Sequence, residues 1–287
     1  MTQRIVIAGA TGYLGRRVVQ VFKARGWRVN ALVRNAAAAR RAGIAPADML
    51  VVDLQGAARL AEVMRDADAV FSAVGLTRQR DGLTYDQVDY GVNLALLKAA
   101  VKAGAPRFGY VHVLNGENMR RSALARAKSR FVKVLEGAAI EPVVIAPTAY
   151  FSDMEDFLEM ARRGAVFLVG DGERRLNPIH GDDLAAVCAD ALIAGTRRTN
   201  VGGPDVFTQA ELGALAFEAL GKPPRIIRVP RALAGAAVGA LKLLGPQRMW
   251  GPAEFFLEAT AMDMVAGQKG KKHLAAHFKA LAEGTAQ

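Results

Sequence analysis

Arg4-Ile5-Val6-Ile7-Ala8-Gly9-Ala10-Thr11-Gly12-Tyr13-Leu14-Gly15 carries a short apolar run, three glycines spaced three apart and the first residues of a helix. The apolar run reads as a strand buried on both faces, and Tyr13 to Arg25 as the helix that follows. In this setting Gly9 permits a sharp turn, Gly12 lets the backbone approach a pyrophosphate, and Gly15 lets helix and strand pack closely. The first amides of the helix then face the phosphates, where the helix dipole favours negative charge. Gly9, Thr11, Gly12, Tyr13, Leu14 and Gly15 are the candidate binding residues. A strand-to-helix turn with no ligand is the plain alternative.

Outward from this turn, strand and helix alternate. Val29–Val33, Met49–Val52, Ala69–Ala73 and Phe108–Val113 read as strands, with helices starting near Gly56, Thr84 and Glu117. Val143–Ala146, Ala165–Val169 and Asn200-Val201 continue the strands, and helices run from Asp182, Thr208 and Pro230. This pattern predicts an α/β fold: a Rossmann-type doubly wound parallel sheet with a smaller, mostly helical C-terminal lobe. Residues 1–150 form the expected dinucleotide-binding domain, with elements up to about residue 200 partly continuing it; 151–287 form a substrate lobe without a clear linker. The apolar run 231–245 is too short to span a bilayer and contains Lys242. It reads as a lobe helix packed on the core or lining a pocket, with a membrane-surface helix as the other reading.

The residue after the second strand selects the cofactor, because an acidic side chain there binds a ribose 2′-hydroxyl. This chain has Val33-Arg34-Asn35 instead, so Arg34 is expected to pair with a 2′-phosphate, helped by Arg40 and Arg41. NADP(H) is therefore preferred to NAD(H), although Arg34 also reads as an ordinary surface arginine. Asp53 and Leu54 end the third strand at the ligand edge, either holding the adenine or, for Asp53, capping a helix. The small residues Ala73, Val74 and Gly75 let ribose and phosphate lie against backbone.

The net charge of +11 favours anionic ligands, yet the basic pairs are dispersed and aromatics make up only 7%, so no specific nucleic-acid site is expected. One cysteine, Cys188, excludes an intramolecular disulfide and reads as a packed core thiol. The chain opens directly on its first strand, which leads us to expect no leader and a reducing, cytoplasmic setting.

Taken with Lys128 in Ala-Lys-Ser-Arg-Phe, Ala146-Pro147-Thr148-Ala149-Tyr150-Phe151, Asn177-Pro178-Ile179-His180 and Gly202-Gly203-Pro204, these motifs resemble atypical short-chain dehydrogenase/reductases. Within that group the chain is similar to NmrA-like and divinyl chlorophyllide 8-vinyl-reductase-like proteins. The resemblance covers about residues 4 to 230. It implies that Lys128 holds the nicotinamide ribose and that Pro147 and Thr148 flank the nicotinamide. It also reveals a departure. The usual Tyr-x-x-x-Lys tyrosine is replaced by Leu124, which has no proton to transfer, and His112 stands near the usual serine position.

Tyr150, His112 or Asn115 remain as proton donors or substrate-polarising groups, each with a structural reading in packing or turns. His180 with Asp182 and Asp183, and His273 with His277, have metal-like spacing, but helix capping and a solvated basic helix account for them more simply. Two functions follow. The first is an NADPH-dependent reductase of a small apolar carbonyl or activated alkene; the second is a non-catalytic redox sensor or scaffold with a protein partner.

Overall fold

The computed structural model describes residues 2–52, 57–76 and 82–285. β1 (Arg4–Ala8) buries its last four residues, as a strand covered on both faces must. It pairs in parallel with β2 (Arg28–Val33) on one side and β4 (Ala69–Ser72) on the other. β3 (Met49–Val51) extends the sheet beyond β2, and β5 (Arg107–Val111), β6 (Glu141–Pro147) and β9 (Arg198–Val201) extend it beyond β4. The order β3-β2-β1-β4-β5-β6-β9 is a doubly wound Rossmann-type sheet that reverses direction between β1 and β4. Ligands bind such sheets at that switch, off the carboxyl ends of the strands.

Helices α1 (Tyr13–Ala24), α2 (Ala36–Arg41), α3 (Ala57–Met64), α4 (Asn93–Lys102), α5 (Ala123–Glu136) and α7 (Gly181–Ala194) connect these strands. Val6, Val70, Leu96, Phe108 and Phe131 share one buried core, with the Phe131 ring 4.5 Å from that of Tyr110. This sheet unit comprises residues 1–112, 123–146 and 184–199; a second compact unit comprises 113–122, 147–183 and 200–287. The second unit packs α6 (Phe151–Arg162), α8 (Gln209–Ala219) and α11 (Leu274–Ala282) around Phe157, Leu212, Phe217 and Phe278. It also holds the parallel pair β7 (Val166–Val169) and β11 (Ile226–Val229), the antiparallel pair β8 (Arg175–Leu176) and β10 (Phe207–Thr208), and helices α9 (Arg231–Leu244) and α10 (Gln247–Ala259).

Three segments depart from the sequence reading. The helix expected near Glu117 starts only at Ala123, because Asn115 adopts a left-handed φ of 55° and the chain after it folds as successive turns. At Thr84 the expected start is present, with Thr84 and Gln87 exchanging hydrogen bonds, but residues Asp86–Val92 form a widened π-helical turn before α4. α9 covers the apolar run as a helix, yet none of its residues is buried, so it does not pack into a core. Among the described residues, no helix is long and apolar enough to cross a membrane.

Cys188 lies fully buried in α7, and burial pushes its thiol well above the usual range. A thiol-reactive chromogen should therefore leave the native protein unlabelled and titrate the single thiol once denaturant is added. Rapid labelling of the native chain would contradict this packing.

Candidate functional site

At the carboxyl end of β1 the chain turns through Gly9, whose φ is +75°. A Cβ on Gly9 would stand 2.8 Å from the carbonyl carbon and oxygen of Ala73, so the exits of β1 and β4 touch at the switch point. A Cβ on Gly15 would overlap the Gly9 carbonyl oxygen, which is how α1 comes to rest on the turn. The Gly12 amide closes the turn by donating to the Gly9 oxygen at 3.0 Å. Gly12 caps α1 without a side chain, and the first turn contains no acidic residue, which leaves the positive end of the helix suited to an anion. Thr11 and Gly12 are exposed, Tyr13 is half-buried under the Arg17 guanidinium 4.1 Å from its ring, and Leu14 is buried in the core. The cradle of bare backbone fits a dinucleotide pyrophosphate.

Arg34 follows the last residue of β2 and is exposed at the same edge. Asn35 is committed to local structure: its side chain accepts the Ala38 amide at 3.0 Å and caps α2. Arg40 and Arg41 occupy the last turn of α2. Asp53 and Leu54 lie outside the described residues.

The segment Ala73–Gly75 is fastened from below by α4 and the π-helical turn. Asn93 accepts from Ser72 Oγ at 2.5 Å and donates to the carbonyls of Val74 and Asp89, at 3.2 and 3.0 Å. Asp89, fully buried, accepts the Leu76 amide on Oδ2 and places Oδ1 3.2 Å from Lys128 Nζ. Lys128 also donates to the Val111 carbonyl at 3.2 Å and to the buried Tyr110 hydroxyl at 3.4 Å. The ammonium lies beside exposed Gly75, where a Cβ would approach Nζ to 3.1 Å.

Burial raises the Asp89 carboxyl above the usual range, with the Lys128 charge opposing it. Burial also works against the charge on Lys128, but Tyr110 and Asp89 outweigh it and hold the ammonium above its ordinary range. Burial pushes the Tyr110 hydroxyl up to about 12, so it stays protonated at neutral pH. His112 is buried at the end of β5, its Nε2 3.3 Å from Ser129 Oγ. Leu124, one turn before Lys128, is half-buried.

The remaining candidates belong to the second unit. Thr148 is buried, its amide donating to the Val201 carbonyl and its hydroxyl to the Asn177 carbonyl at 2.6 Å. The Pro147 carbonyl accepts the Leu114 amide. Asn177 in turn donates to the carbonyls of Gly203 and Ala266, and a Cβ on Gly202 would overlap its side chain. Tyr150 caps α6, forming a reciprocal box with Asp153. Asn115 donates to the Asp263 carbonyl at 3.1 Å, which fixes its left-handed turn. Asp183 accepts the amides of Lys271 and Lys272, while His273 and His277 pair separately with Asp205 and Glu155. Among the described residues, no group of three or more His, Cys, Asp or Glu could hold a metal ion.

Asp89, Asn93, Ser72 and Tyr110 escaped the sequence reading. Their available signal is the four-residue spacing of Asp89 and Asn93, which puts two polar side chains on the same helix face as Val88, Val92 and Leu96.

The sheet and its glycine cradle define a Rossmann-type nucleotide-binding protein. The NmrA-like family model matches residues 1–158, and the chain belongs to that family. Divinyl chlorophyllide a 8-vinyl-reductase of Zea mays is 32% identical over 260 residues, covering 83% of this chain and 64% of its own length. The chain thus spans under two thirds of that relative. A ceramide reductase of Caulobacter vibrioides is 28% identical over 234 residues, covering 79% of this chain and 73% of that protein. Among solved structures, the NADPH-dependent quinone oxidoreductase of Escherichia coli complexed with NADPH superposes with a TM-score of 0.78. It is 20% identical, and the match covers 96% of this chain and 99% of that one.

Asp89→Asn removes the charge that offsets a buried ammonium while keeping an acceptor for Leu76. Unfolding in denaturant should show a loss of about 3 kcal/mol. In the wild type the raised Lys128 pKa contributes stability that is lost as pH rises through the alkaline range; the variant lacks the Asp89 share of that shift, so its deficit should narrow there. Wild-type stability at every pH would refute a buried ion pair.

Proposed function

We propose that the chain is an NADP(H)-dependent reductase of a small apolar carbonyl or activated alkene. The observation that carries this is the pairing of the glycine cradle with a lysine held by Asp89 against Gly75, both at the switch point of one sheet. The backbone of Gly12 to Gly15 takes the pyrophosphate, and Arg34 takes the 2′-phosphate that an acidic residue there would repel. Lys128 donates to a ribose hydroxyl by exchanging its longest contact, that to Tyr110 at 3.4 Å, while keeping the Val111 carbonyl and the ion pair with Asp89. NADPH, when bound, supplies the hydride. Membership of the NmrA-like family, and relatives named as reductases of a vinyl group and of ceramide, support the oxidoreductase class.

The accompanying proton has no source at Leu124, and Tyr110 is fully buried. Tyr150 and His112 are the candidate donors. Leu124 is also what favours the second reading, a dinucleotide-binding sensor without turnover that answers to a protein partner.

Fluorescence titration with NADPH and NADH, followed by NADPH oxidation against enones, quinones and aldehydes, separates the two. We expect tighter NADPH binding and turnover on at least one class. Arg34→Ala should weaken NADPH by about tenfold, roughly the value of one charge-assisted contact, and leave NADH unchanged. Lys128→Ala should lower turnover by about a hundredfold. Tight binding with no turnover on any substrate establishes the sensor, and unchanged NADPH preference in Arg34→Ala removes the NADP(H) assignment.

A further inference from the structure

α9 has two charged residues, and both have partners on α10. The Arg231 guanidinium donates to the carbonyls of Leu257 and Thr260, and Lys242 pairs with Glu254, itself 3% exposed, while standing 4.9 Å from the Trp250 ring. The exposed positions from Ala232 to Ala240 are only alanine, leucine and glycine. Leu233, Ala236, Ala237, Ala240, Leu243 and Leu244 recur at helical spacing along one outer face. Leu243 is 89% exposed and Leu244 83%, with Met249 and Phe256 of α10 also exposed. A surface helix ordinarily turns its charges outward, and a contiguous apolar face marks an interaction site.

The surrounding charge identifies what covers it. Between Glu218 and Glu254 the chain has no acidic residue, and besides Arg231 and Lys242, which α10 engages, it carries Lys222, Arg225, Arg228 and Arg248. A second copy would bring that cationic segment against itself in an isologous contact, which like-charge repulsion opposes. An anionic lipid surface meets both demands, since headgroups neutralise the cations while leucines enter the headgroup–acyl boundary. Trp250, half-buried with its Nε1 donating to the Gly245 carbonyl, has the amphipathic ring suited to that depth. We propose that α9, with the start of α10, docks the protein peripherally on an anionic membrane.

Flotation with vesicles of phosphatidylcholine containing about one third phosphatidylglycerol tests this, with pure phosphatidylcholine vesicles as the neutral arm. The wild type should float with anionic vesicles and weaken as salt is added, because screening acts on the cations and not on the leucines. Leu243→Glu/Leu244→Glu should reduce binding at least about tenfold while melting like wild type, both positions being exposed. Arg248→Glu should narrow the gap between anionic and neutral vesicles. Equal binding by the double variant, or no binding to anionic vesicles, overturns the proposal. So does sedimentation showing a lipid-free wild-type dimer that the double variant dissolves, which would assign the face to a second copy.

Discussion

Everything at the ligand edge depends on how closely backbone approaches backbone where β1 ends. Gly15 lies against the Gly9 carbonyl, and Gly9 against Ala73, with no room for a Cβ at either place. Two contacts therefore locate three things: the start of α1, the exit of β4 and the concave strip of amide between them. A side chain at Gly15 would push α1 off the strand, and one at Gly9 would both strain its φ and part β1 from the segment after β4. The surface left behind has little side-chain chemistry of its own, so its selectivity comes from the helix dipole and from whatever stands at the ends of neighbouring strands.

Behind that strip sits a costlier feature. Burying a carboxylate and an ammonium side by side rarely improves stability over an apolar pair, because desolvation consumes most of their attraction. Asp89 and Lys128 are nevertheless bound to backbone at both ends, through Leu76 and Val111. That geometry fixes the ammonium beside Gly75 in advance, whereas a long exposed lysine would lose rotamer entropy on being ordered there. Buried Tyr110, protonated up to about pH 12, supplies a neutral third partner. The cluster is thus better explained by positioning than by stability.

Much of this fold was legible because its strands are short runs of apolar residues between glycine turns, as in Arg4–Ala8 before Gly9. What misled was local. Asn115 takes a left-handed φ because its side chain is tied to the distant Asp263 carbonyl, a contact no spacing reveals, and the helix after it is delayed to Ala123. Asp89 and Asn93 offer only their four-residue spacing, and their full burial follows from tertiary packing that the spacing does not reveal. The run at 231–245 reads from composition as a helix packed on the core or lining a pocket, with a membrane-surface helix as the alternative. Composition counts apolar residues without saying what the few charges engage, and here Arg231 and Lys242 are both taken up by α10.

The later shared motifs answer to packing more than to chemistry. Asn177 bonds the carbonyls of Gly203 and Ala266 and fills the space where Gly202 would carry a side chain. Thr148 spends its hydroxyl on the Asn177 carbonyl, and Asp183 spends its carboxylate on two lysine amides. Residues used this way hold loops in place whatever the protein does with a substrate. Two proteins can then share Asn-Pro and Gly-Gly-Pro while differing in reaction. Chemistry rests instead on positions free of such duty, and Leu124, one turn before Lys128, has no proton to give. Family membership consequently extends further along the backbone than along the reaction coordinate.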